Sequence, residues 1–122
     1  MKVNILGTTY QVFYETLQEN RRYKDCAGYC EFYAKEIHVR KHTEDDEDSI
    51  GNDSKMRYIF EQKVLRHELI HAFMYESGLH VNSHEITQWA MDEEMTDWFA
   101  MQMPKIMAVY DEVMRQLNEK NE

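Results

Sequence analysis

Two cysteines, one proline and four glycines are all that this chain of 122 residues carries, and it has no apolar run long enough to cross a membrane. Cys26 and Cys30 form a Cys-x-x-x-Cys half-site that no second pair completes. They are therefore expected to be free thiols of a reducing compartment. The opening segment, Met1 to Thr9, holds too short an apolar run for a signal peptide, which makes the cytoplasm the expected location. Positive charge is also scarce. Lys and Arg number 14 against 23 Asp and Glu, a formal net charge of −9. This sets aside a nucleic-acid backbone as the main partner, because that binding draws on clustered cations. Part of the acidic excess is one run, Glu44-Asp45-Asp46-Glu47-Asp48, read as a solvated loop.

What is present points to a globular chain. Apolar residues make up 43%, with many aromatics and methionines, which excludes disorder as the default. The length fits one domain spanning residues 1–122. Residues 2 to 6 and 9 to 15 read as a hairpin turned at Gly7-Thr8, because Val3 and Ile5 alternate with polar neighbours and residues 10 to 14 are β-formers. Residues 16 to 27 are polar and irregular, with a helical turn near Leu17 to Asn20. Tyr29 to Tyr33 and Glu36 to Arg40 make a second hairpin turned at Ala34-Lys35. Ile37 and Val39 alternate with His38, so His38 is expected at a surface or cleft rather than in the core.

A helix is predicted from about Lys55 to Ser77, capped by Asp53 or Ser54 and stopped by Gly78. A second is predicted from Ser83 to Gln102, with Asn82 and Glu85 as a capping box. A third runs from Pro104, a good first helical residue, to Lys120, and the sequence does not decide whether it is separate from the second or one kinked helix with it. The layout is an α+β domain: N-terminal β-hairpins packed on a three-helix C-terminal part.

The first of these helices carries His67-Glu68-Leu69-Ile70-His71, an H-E-x-x-H motif. Residues four apart share a helix face, so His67 and His71 can direct two imidazole nitrogens at one Zn²⁺. Glu68 lies beside them as a general base toward a water. The stripe Phe60, Val64, His67, His71, Met74 puts both histidines on the buried face. A catalytic zinc needs a third protein ligand. The metzincin spacing fails, since position 77 is Ser and Met74 stands where glycine belongs. His80 and His84 follow the helix closely. The stronger candidate is Glu93, with Asp97 four residues on, because both acids fall on an otherwise apolar stripe and buried acids need partners. Asp97 would then accept the second ring N–H of a ligand histidine. Glu94 is the alternative to Glu93, and Trp89, Trp98 and Phe99 leave the helix little exposed face.

The Glu-x-x-x-Asp pattern following H-E-x-x-H resembles the gluzincin arrangement. From about Tyr29 to Lys105 the chain resembles the ImmA/IrrE-type zinc metallo-endopeptidases, as a small phage- or prophage-encoded example. The resemblance rests on a strand pair, His-Glu-Leu-Ile-His-Ala, a Glu-Ser-Gly connector and Asp-Glu-Glu-Met-Thr-Asp-Trp-Phe-Ala. It departs at Met95-Thr96-Asp97-Trp98, where those enzymes often carry Glu-Ala-Asn. The resemblance implies a small zincin-like fold, His67, His71 and Glu93 as zinc ligands, Glu68 as catalytic base, and a transcriptional regulator as substrate. The expected activity is endopeptidase hydrolysis of a protein or peptide. His38, Tyr75, His80 and His84 are candidates to stabilise the oxyanion, and the strand Glu36 to Arg40 offers an edge to an extended peptide. The alternatives are a non-catalytic zinc-stabilised interaction module and a metal-free helical partner protein.

Overall fold

A computed structural model describes residues 1–44, 46, 53–80 and 92–120. Strands come first: β1 (Lys2–Ile5), β2 (Thr8–Glu15), β3 (Gly28–Glu31) and β4 (Glu36–Arg40). Two helices follow, α1 (Ser54–Glu76) and α2 (Glu93–Lys120). The protein is thus a small α+β chain with N-terminal strands and C-terminal helices. No helix among the described residues is long and apolar enough to cross a membrane.

The first hairpin turns at Leu6-Gly7, one residue earlier than expected. Both turn residues have positive φ, 51° and 93°, which matches the right-handed twist of the flanking strands. The Gly7 N–H donates to Asn4 Oδ1 at 2.8 Å. The second hairpin pairs Gly28 with Val39 and Glu31 with Glu36. Between the hairpins the helical turn expected near Leu17 to Asn20 is present, closed by the Asn20 N–H donating to Thr16 O at 3.0 Å, and a short 3-10 helix at Arg21–Lys24, capped by Asn20, follows it.

The hairpins join into one four-stranded sheet of order β1-β2-β4-β3. The junction is a parallel pair, with Val12 opposite Ile37 and Phe13 opposite His38. Strand β4, expected as an edge, is therefore interior, and β1 and β3 are the edges. On one face Tyr10, Val12, Ile37 and Val39 pack with Val64 and Ala72 of α1. On the other, registry lines up Phe13, His38 and Tyr29 across three neighbouring strands. Their rings stack, His38 lying 4.7 Å from Phe13 and 4.4 Å from Tyr29 between centroids. Glu15 and Glu36 hold its two ring nitrogens at 2.7 and 3.1 Å. His38 does point away from Ile37 and Val39, but it is buried and not at a surface. Period two identified its face, while the cover on that face came from other strands.

Helix α1 begins where Asp53 accepts the Lys55 N–H at 2.8 Å. Two residues past its end, Gly78, with a φ of 86°, turns the chain back so that the His80 N–H donates to Met74 O at 3.0 Å. Its last residue, Glu76, is tied to the sheet by Tyr10 Oη and Lys35 Nζ, each 2.7 Å away, and by Thr8 Oγ1 at 3.2 Å.

The expected three-helix part is overturned: two α-helices stand among the described residues. Residues 93–102 and 104–120, which the sequence leaves open as two helices or one kinked helix, are one continuous helix with Pro104 inside it. Proline has no N–H for the Ala100 carbonyl one turn earlier. That carbonyl instead accepts from Arg66 Nε of α1 at 2.5 Å, so a helix start inferred from proline was an interior position repaired by a tertiary bond. The expected helical stretch 83–91, with its Asn82–Glu85 capping box, His84 and Trp89, lies outside the described residues. Within the acidic run, Asp46 is not simply solvated. It accepts the Thr43 N–H at 2.7 Å and sits 3.4 Å from Arg40 Nη2.

Candidate metal centre

One turn of α1 separates His67 from His71, and their Nε2 atoms face each other at 3.2 Å. Glu93, the first residue of α2, reaches across. Its Oε2 lies 3.0 Å from His67 Nε2 and its Oε1 lies 3.0 Å from His71 Nε2. One turn further, Asp97 Oδ1 lies 3.3 Å from His67 Nδ1 and 3.2 Å from Lys63 Nζ. These are the residues expected as zinc ligands and as the carboxylate behind them. Glu94 is exposed, and the carboxylate recorded between the two imidazoles is that of Glu93.

The route to Glu93 needs correcting. Its side chain is 72% exposed and that of Asp97 is 37% exposed, so these acids line a rim and not a buried stripe. The residues that α2 buries here are Thr96 and Ala100. Trp98 is half exposed, so the aromatics do not wrap the helix. Asp92 caps α2, accepting the Met95 N–H at 3.0 Å. This cap fixes where Glu93 enters the helix, and a carboxylate is favoured in a first helical turn. An Asp three residues before Met95 was the sequence signal for it.

Glu68 is set deeper, with 6% exposure. Burial, with Glu93 adding repulsion, pushes its carboxyl up to about 8. A carboxylate oxygen of Glu68 and one nitrogen of each of His67 and His71 lie within 4.8 Å of one another. Burial chiefly lowers the pKa of His71, against the pull of Glu93, and favours the neutral imidazole that can donate a lone pair to a metal.

Gly28 of β3 makes this depth possible. A Cβ built there would stand 2.6 Å from Val64 Cγ1, 2.8 Å from His38 O and 3.4 Å from Glu68 Cγ. Its φ is ordinary, so the requirement is for space. Sequence reasoning overlooked it, because only the α1–β3 approach reveals it.

The donor set can be tested against zinc. Two imidazole nitrogens about 2.0–2.1 Å from one tetrahedral ion stand roughly 3.3–3.4 Å apart. The separation of 3.2 Å fits one ion between them. The two Glu93 contacts of 3.0 Å are a few tenths shorter than ligand–ligand spacing, which a small outward shift of an exposed side chain supplies. Glu93 also stands close enough to Glu68 to disfavour its ionisation, and a cation between them would relieve that repulsion. The cysteines compete poorly as ligands, since burial raises both thiols, Cys30 to about 12.

Clefts flank the site on both sides along β3. One, of about 270 Å³, is bordered by Phe32, Glu68, His71, His80 and Glu93. The other, of about 230 Å³, is bordered by Phe60, Lys63, His67, Glu68 and Asp97. Of the oxyanion candidates, His80 borders the first cleft. Tyr75 stacks on Phe32 at 4.5 Å, His38 is on the far face of the sheet, and His84 lies outside the described residues. Against family models, curated proteins and solved structures alike, the chain finds no match, so the reading of this centre rests on its own geometry.

Proposed function

We propose that this protein is a zinc-dependent endopeptidase with His67, His71 and Glu93 as ligands and Glu68 as general base. The observation that carries the proposal is the convergence of both Nε2 atoms and both Glu93 oxygens at about 3 Å, beside a buried carboxyl that none of those contacts uses. Zinc in that position supplies positive charge, which polarises a peptide carbonyl and brings the pKa of water toward neutrality. Glu68 takes the proton of the attacking water and passes it to the departing amine nitrogen. Asp97 holds His67 by its Nδ1, which keeps Nε2 directed into the site. His80 is the described side chain placed to meet the developing oxyanion.

The substrate is a protein segment in extended form. Strand β3 is an edge that runs past Glu68, and the two clefts continue along it. An added strand would hydrogen-bond to it while its side chains enter the clefts. A regulatory protein of a phage or its host is the proposed target, and the cytoplasm the proposed setting.

The test is the Glu68→Gln variant. It is expected to hold zinc as the natural chain does and to lose cleavage of a peptide library by at least a hundredfold. Undiminished cleavage would remove Glu68 from the mechanism. The position of His80 supports a second reading, in which it closes the coordination and the zinc is purely structural. In that case His80→Ala would release zinc, whereas the endopeptidase reading expects zinc to stay and turnover to fall.

A further inference from the structure

Among the described residues, none packs on the C-terminal half of α2. Every residue from 103 to 120 is exposed. Met103, Ile106, Met107, Tyr110, Val113, Met114 and Leu117 fall within one arc about 120° wide at 100° per residue. Each is between 36% and 55% exposed. The spacing 103, 106, 110, 113, 117 alternates three and four, the interval at which one helix packs along another. The stripe also continues toward the body of the molecule. Phe99 and Met103 border an apolar groove with Phe73, Met74 and Leu79.

We propose that two copies of this chain pair through this face of α2. In proteins most helical stability comes from packing of an apolar face, and this stripe leaves such a face open to a partner. Three observations favour a second copy. First, the apolar residues of the stripe expose on the order of 700 Å² per copy, so covering both stripes fully would bury up to roughly 1,400 Å², which reaches the class of stable protein interfaces. Second, the stretch is electrically neutral: Lys105, Arg115 and Lys120 balance Asp111, Glu112 and Glu119. A chain of net charge −9 can therefore approach itself here without the repulsion it meets elsewhere. Third, the polar side is satisfied within the helix, since Arg115 pairs with Glu112 at 2.6 Å and Glu119 at 2.5 Å. Neither a charged partner nor an anionic lipid surface is called for, because the face lacks the cationic border that such surfaces attract. The groove beside Phe73 and Leu79 receives the neighbouring copy's helix, and two-fold symmetry repeats the contact.

The proposal is independent of the zinc reading. Its test is sedimentation equilibrium of the full chain from about 1 to 100 µM, beside the Tyr110→Glu/Val113→Glu variant, with circular dichroism on both. Leu117→Glu serves as a second variant, well away from the core. The expected result is a dimer that each variant weakens at least a hundredfold at unchanged helix content. A monomer throughout the range would overturn the proposal. So would a dimer indifferent to both variants, or a species larger than two chains.

Discussion

Glu68 and Gly28 meet where α1 crosses β3, and each makes a distinct expectation. In the metal-free chain the Glu68 carboxyl stands at about 8, against an ordinary value of 4.5. Between those values the folded chain keeps a proton that the unfolded chain has released. This group therefore stabilises the fold fully below about pH 4.5, and its contribution is lost as pH rises toward 8. Glutamine imitates the protonated acid. Metal-free Glu68→Gln is expected to match the natural chain in thermal midpoint near pH 4.5 and to exceed it at pH 8.5. Parallel curves across that range would show that burial does not hold the proton. Gly28→Ala drives a methyl group into Val64 and the backbone of β4. An overpacked contact of this kind costs about 1–3 kcal/mol, read as a lower urea midpoint. Unchanged stability would mean that β3 and α1 separate easily.

Between elements, the bond from Arg66 to the Ala100 carbonyl joins α1 to α2 one residue before His67. Arg66→Met is expected to cost roughly 1–3 kcal/mol, because it leaves a buried carbonyl without its donor. In a Pro104→Ala background the restored N–H serves that carbonyl, and the same substitution should cost measurably less. Additive costs in the double-mutant cycle would refute the repair. The case also shows what a sequence can carry. Histidines four residues apart on one helix have a local geometry, so their convergence was legible. So were the two hairpins, whose turns lie within a few residues. The parallel pairing of β2 with β4 joins strands separated by a whole hairpin, and alternation alone does not specify that partner. Pro104 misled for the same reason: its local preference marks a helix start, and the arginine that lets the helix continue comes from another element. Glu93 was reached through supposed burial, while its actual setting is a half-open rim facing α1. The spacing to Asp97 survives that change because both readings turn the same face of α2 toward α1.

For the whole molecule, zinc would join the two helices much as the Arg66 bond does. Ligand binding to the folded state alone stabilises it by about 2.7 kcal/mol at a free concentration one hundred times Kd. Chelation should therefore lower the thermal midpoint of the natural chain and leave that of His71→Ala nearly unmoved. Equal sensitivity of both would place the ion elsewhere. The most direct test of the central claim is zinc-edge X-ray absorption on the purified protein. The account expects a first shell of nitrogen and oxygen alone, near 2.0–2.2 Å, with two imidazole contributions. Sulfur scattering near 2.3 Å, implicating Cys26 or Cys30, or the absence of bound zinc, would contradict it.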